Sequence, residues 1–243
     1  MIGNDVNTAK DEGGATARPA TNPRRASHTR AFLWAEMLAL FVGGPILYWR
    51  FVPGPGWLFP ALWAWAAVCL GLLLIDGRFE RRRLGWRNAS STDATRVLTL
   101  FAALGLSLLA VVALWDWLVQ DRSILFSLVR RDPWLWVAIM LGYPLASVYA
   151  QEIIFRAFFF HRYRPLLPGR WAMIVASALA FAWVHIIFQN WLAVAMTLPG
   201  GLIFAWRYHR TGSTLLVSFE HALYGCLIFT IGIGQYFYSG RIQ

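Results

Sequence analysis

The chain has 243 residues, 58% of them apolar, with 14 tryptophans, 17 phenylalanines and a formal charge of +10. A mean hydropathy of +0.50 over that length argues against a soluble single domain and for an integral membrane protein. The positive charge does not point to nucleic acid, because Lys10 is the one lysine and the arginines fall between apolar runs, where they act as topology anchors.

In chain order, residues 1–29 are polar, contain Gly and Pro and lack an apolar h-region, so they read as a disordered cytoplasmic tail and not as a signal peptide. Apolar runs of roughly 18 residues, enough to cross about 30 Å of hydrocarbon, then recur. They predict spans near 31–51, 57–75, 97–119, 133–160, 171–188, 191–206 and 213–234. The fold class is therefore all-α, a polytopic membrane bundle of about seven transmembrane helices, with room for an eighth. Turn residues separate the runs: Pro53-Gly54-Pro55-Gly56, Asp132-Pro133, Pro168-Gly169 and Thr211-Gly212-Ser213, with a kink expected at Pro199-Gly200-Gly201.

Arginine sets the orientation. Arg18, Arg24, Arg25 and Arg30 lie in the tail, Arg78, Arg81, Arg82, Arg83, Arg87 and Arg96 after the second run, Arg162, Arg164 and Arg170 after the fourth, and Arg207 and Arg210 after the sixth. The opposite loops hold only Arg50, Arg122, Arg130, Arg131 and Arg241. The positive-inside rule then predicts a multi-pass protein of the cell membrane with its amino terminus in the cytoplasm. On that side the Asn88-Ala89-Ser90 sequon is a chance match. Cys69 and Cys226 fall in separate runs without disulfide or metal spacing, and Gly232-Ile233-Gly234 has no strand before it to make a phosphate loop.

Several polar groups do not belong in lipid. Glu152 and Arg156 sit in the fourth run, and each would cost roughly 2.5–3.5 kcal/mol unpaired at the bilayer centre. Their i, i+4 spacing puts them on one helix face, acid first, as an ion pair requires; a purely structural staple is one reading. His185 in the fifth run and His221 in the seventh repeat the anomaly, with Glu220 beside His221 as a supporting residue. At about 1.5 Å rise per residue Glu152 and His221 are level and His185 is deeper, within the reach of tilted helices. Glu36, Asp76 and Asp116, near helix ends, read as structural, and Tyr149 is placed one turn before Glu152, where it could donate to the carboxylate.

A carboxylate that takes a proton from water, an imidazole that orients it and donors for an oxyanion together suit peptide hydrolysis without a covalent intermediate. Zinc is the rival use; no HExxH is present, so no cofactor is expected, and a divalent metal, if used, would fall to Glu152, His185 and His221.

These residues resemble the CPBP family of CAAX-prenyl-protease and bacteriocin-processing (Abi-type) intramembrane proteases, whose motifs EExxxR, FxxxH and HxxxN lie on successive helices. Here Gln151-Glu152-Ile-Ile-Phe-Arg156, Phe181-Ala-Trp-Val-His185 and His221-Ala-Leu-Tyr-Gly225 stand in the same order. The resemblance covers roughly residues 130–235 and implies a catalytic core over 131–238, which follows the tail at 1–29 and N-terminal transmembrane helices over 30–130. It implies a membrane-associated peptide or protein substrate, of which a CAAX-type prenylated one is an example, and no nucleic acid. In the family the first glutamate and the FxxxH histidine activate water while the HxxxN pair holds the oxyanion, which maps to Gln151, His185, His221 and Gly225. Gln151 has no basicity and Gly225 no side-chain donor. Either Glu152 takes the base's place, with Arg156 holding it, or the chain is a catalytically impaired relative that binds peptides or acts as a scaffold. A proton-coupled transporter is disfavoured because no inverted repeat of broken helices is visible.

Overall fold

The structure, a computed structural model, describes residues 23–52, 54–86, 89–119 and 124–237. Residues 1–22 of the expected tail, with Lys10 and Arg18, lie outside the described residues, as do Arg87, Asn88 of the sequon, Arg122 and Arg241. Among the described residues five helices are long and apolar enough to cross a membrane: α1 (Thr29–Phe51), α2 (Leu58–Ile75), α3 (Ser91–Val119), α4 (Pro133–Arg162) and α5 (Arg170–Phe188). Two more, α6 (Trp191–Thr211) and α7 (Thr214–Thr230), complete a helical membrane bundle. The described residues contain no strand.

Helix ends follow from local chemistry. Asp132 caps α4 by accepting from Leu135 N at 2.9 Å, with Pro133 in the first turn, where its missing N–H is not needed. Asn190 caps α6 through Leu192 N at 2.9 Å, and Ser213 caps α7 through Leu216 N at 3.1 Å. Gly212 closes α6 at φ 63°, a left-handed position that glycine fills without strain, and so turns α6 directly into α7. At α3, Ser90 Oγ accepts from Asp93 N at 3.2 Å while Asp93 Oδ2 accepts from Ser90 N at 3.1 Å. This reciprocal cap starts α3 earlier than hydropathy suggested, because hydropathy does not register a polar first turn.

Other boundaries also moved. The first helical segment begins at Pro23, inside the expected tail. Helix α6 runs through Pro199 to Thr211, so the sixth span is longer than expected, and Arg207, assigned to a loop, lies within it. Helix α4 is interrupted by two π turns, Pro144–Val148 and Ile153–Phe158, which bracket Tyr149–Glu152. Such widened turns recur at functional sites and change which faces a helix presents.

Acidic residues near helix ends act as fasteners. Glu36 of α1 accepts from Arg162 Nε at 2.9 Å and Nη2 at 2.6 Å and from Tyr163 at 3.1 Å, tying α1 to the end of α4. Asp116 accepts from the backbone N–H of Ile124 and Leu125 at 2.9 and 2.8 Å. Asp76, past the end of α2, has its carboxyl pulled down to about 2, first by the Arg78 backbone N–H and then by His161, whose Nε2 is 3.0 Å away. Tyr149 donates to Leu84 O at 3.2 Å, so it does not serve Glu152 as the spacing had suggested.

The interior is aromatic. Phe41 of α1 meets Trp65 of α2 and Phe155 and Phe159 of α4 at centroid distances of 5.0–5.6 Å. Helices α5 and α6 pack most extensively, and Gly201 permits it: a Cβ there would stand 3.1 Å from both Cα and O of Ala178. Gly201→Leu is therefore expected to force the two helices apart and cost about 1–3 kcal/mol, read as a lower thermal midpoint in detergent.

Candidate active site

Helix α4 supplies the acid and the base of the central pair, both wholly buried. Arg156 Nε lies 3.2 Å from Glu152 Oε2, the i, i+4 pair that the spacing predicts. Its Nη1 donates to Ser177 Oγ at 2.8 Å and to Phe155 O at 3.3 Å, and the guanidinium lies 5.0 Å from the Phe181 ring centroid. Ser177 and Phe181 are on α5, so the arginine joins the two helices.

The other carboxylate oxygen crosses to α7. Glu152 Oε1 accepts from His221 Nδ1 at 2.8 Å. The ring is stacked on Phe204 of α6 at 4.6 Å and 21°, and Phe181 meets it edge-on at 5.4 Å. With Nδ1–H committed to the carboxylate, Nε2 is the acceptor of the neutral ring, and Tyr143 Oη stands 3.3 Å from it. One chain of contacts thus runs Arg156, Glu152, His221, Tyr143, over helices α4 and α7.

His185 belongs to a neighbouring wall. It lies where α5 tightens into a 3₁₀ turn, and its Nδ1 donates to Phe181 O at 2.7 Å, because a carbonyl can only accept. That bond selects the tautomer whose Nε2 is an acceptor, and Nε2 takes no hydrogen bond from the described residues. The imidazole sits 4.9 Å from Phe181, the ring that His221 also contacts. His185 lines a cavity of about 230 Å³ between α1, α2, α4 and α5, together with Gln151, Ser147, Phe155, Tyr48 and Trp65. Gln151 Nε2 donates to Ser147 Oγ at 2.7 Å, while its Oε1 is buried without a hydrogen-bond partner. Tyr48 Oη and Trp65 Nε1, from the N-terminal helices, are also buried without one.

Consecutive residues of α4 therefore serve different sides, as a turn of about 100° per residue dictates. Gln151 shares the cavity with His185; Glu152 meets His221 and Arg156 and does not line that cavity. The two histidines and the acid come to one aromatic cluster without forming a ligand set: Glu152 is bonded to His221 instead of being presented beside it. No group of three His, Cys, Asp or Glu suited to a metal occurs among the described residues.

Glu220 takes no part in this network. It is wholly buried and accepts a bidentate pair from Arg207 of α6, Nε to Oε2 at 2.9 Å and Nη2 to Oε1 at 3.0 Å. It braces the α6–α7 hairpin instead of supporting His221. Gly225 faces Tyr143: a Cβ built there would collide with Tyr143 Cε1 and stand 2.6 Å from both Cζ and Oη.

Sequence reasoning missed Tyr143, Ser177 and Arg207. Ser177 lies two α-helical turns before His185 on the same stripe of α5, and Arg207 and Glu220 lie on either side of the Gly212-Ser213 turn with opposite charges. Those positions were available signals.

Residues 132–227 match the family model described as type II CAAX prenyl endopeptidase Rce1-like. No curated protein matches the chain. No solved structure matches it either. The matched segment, less than half of the chain, holds Tyr143, Gln151, Glu152, Arg156, His185, His221 and Gly225, and over it the chain is similar to the Rce1-like type II CAAX prenyl endopeptidases.

Proposed function

We propose that the protein is an intramembrane endopeptidase that hydrolyses peptide bonds of membrane-associated proteins, CAAX-type prenylated ones among them, by metal-free activation of water. The observation that carries this reading is His185: its Nδ1 is spent on Phe181 O, which leaves Nε2 as an acceptor at the wall it shares with Gln151, whose Oε1 has no partner. A water between them would give one proton to Nε2 and be oriented through the other by Oε1. The hydroxide adds to the scissile carbonyl carbon, the carbonyl electron pair moves to oxygen, and the oxyanion is received at the His221 end of the site. Collapse expels the amine, which takes the proton back from His185 and leaves a carboxylic acid, whose remaining proton passes to solvent to give the carboxylate.

In this reading Glu152 is a positioning residue. Buried between Arg156 and His221, it holds the imidazole's tautomer and direction, and the second-place glutamate does not replace the missing first. The cavity beside His185 is apolar except for a few groups, which suits an extended substrate with apolar side chains.

A second reading, a non-catalytic relative that binds membrane-anchored peptides, is favoured by one observation: the group that lines the cavity beside His185 is the carboxamide of Gln151, which has no basicity. Purified protein in liposomes, offered membrane-anchored peptides with and without a prenyl group, separates the two. Under the first, wild type cleaves and Gln151→Glu raises kcat toward the 10²–10⁴ that a positioned base is worth. Under the second, wild type binds without cleaving, and cleavage appears only in Gln151→Glu. If His185→Ala cleaves as fast as wild type, the water-activating role is lost to another group.

A further inference from the structure

We infer that Tyr143 is a catalytic residue of this protein, its phenolic O–H donating to the oxyanion in the space that Gly225 leaves by having no side chain. The inference rests on the hydrolase reading and names a donor that this reading otherwise lacks.

Two observations meet at one atom. Tyr143 Oη lies 3.3 Å from His221 Nε2, so the hydroxyl is at the end of the Arg156, Glu152, His221 chain of contacts. It also stands 2.6 Å from where a Cβ of residue 225 would be, with Cζ equally close. The ring thus fills the volume into which any larger residue at 225 would project, one α-helical turn beyond His221 on α7. Glycine at this position is a steric condition for the tyrosine, not a vacancy in the site.

The hydroxyl is also carried by the helix that carries Gln151. Ser147 and Gln151 share one stripe of α4, joined by a 2.7 Å hydrogen bond, and the π turn Pro144–Val148 separates Tyr143 from them. Tyr143 meets α7 at His221 and Gly225, while Gln151 lines the cavity with His185. A substrate peptide bond held between these two sides would turn its carbon toward Gln151 and His185 and its oxygen toward the phenol. At rest the O–H is directed at His221 Nε2; as charge develops, it is turned onto the oxyanion. Phe229, 5.6 Å from the Tyr143 ring and tilted 67° to it, limits where the ring can go.

Three variants test this in liposomes with a membrane-anchored peptide. Tyr143→Phe keeps the ring and removes the donor: kcat is expected to fall about 10²–10³-fold with KM within about twofold, the loss typical of one oxyanion donor. Gly225→Asn should do at least as much harm by displacing the ring. Tyr143→Ala/Gly225→Asn vacates the space and supplies an amide donor, so it should recover activity over Tyr143→Ala alone, which a purely structural tyrosine would not allow. A phosphinic analogue of the peptide, tetrahedral and anionic, gives a readout independent of turnover: Tyr143→Phe should weaken its binding by the same factor and leave the parent amide's affinity unchanged. Cleavage and analogue binding in Tyr143→Phe within twofold of wild type would overturn the inference while leaving the hydrolase reading intact. A wild type that neither cleaves nor prefers the analogue to the amide would overturn both.

Discussion

Replacing His185 with alanine is expected to lower kcat for a membrane-anchored peptide by about 10²–10⁴, with a thermal midpoint close to wild type and KM little changed. The size follows from the tautomer: with Nδ1 bonded to Phe181 O, the ring has one free acceptor, and alanine removes it along with the proton store that returns to the leaving amine. The ring contacts Phe181 and Phe188 at 4.9 and 5.7 Å, so some packing is lost as well. His185→Asn preserves part of that packing without the basicity and separates the two effects. If both variants lose only stability, measured as a lower thermal midpoint with kcat unchanged in the folded fraction, His185 is a packing residue.

The second large effect concerns stability. Arg207→Met leaves the Glu220 carboxylate wholly buried without its bidentate partner, and removing one member of such a pair costs about 3–5 kcal/mol. The expected result is a sharp loss of folded protein in detergent. Arg207→Met/Glu220→Met should regain most of it, since two apolar side chains of similar volume leave no charge to neutralise. The double variant should also cleave like wild type, because neither residue touches the His185 cavity or the chain of contacts through Glu152. A double variant as unstable as the single one would mean that the loss comes from the shape of the arginine and not from its charge.

How much of this was legible in the sequence depended on which force set each feature. Helix order came from apolar content, which hydrocarbon selects directly, so α1 to α7 fall close to their expected places, five of them long and apolar enough to cross a membrane. Helix ends were misjudged where polar caps set them, as at Ser90 and Asp93, or where a buried partner keeps a charge inside, as Glu220 does for Arg207. The pairing of Glu152 with Arg156 was legible because i, i+4 spacing is a local property. That Glu152 would also face His221, while Gln151 faced the cavity with His185, depends on how α4, α5 and α7 pack, and spacing along the chain does not encode it. Tyr143 was hidden for another reason: the position expected to donate is glycine, and the residue that fills its space is on a different helix.

The two widened turns of α4 affect how this protein should be compared with others. A π turn holds one more residue than the α geometry around it, so deleting one residue from Pro144–Val148 would restore a regular helix and swing everything upstream about 100° relative to Glu152. Tyr143 would then point at another neighbour. Counting from the acidic motif back to this tyrosine is thus meaningful only between proteins that share the insertion. In a relative whose helix is regular there, the residue opposite its seventh span should be sought one place away, and a mismatch at fixed spacing says nothing about lost chemistry.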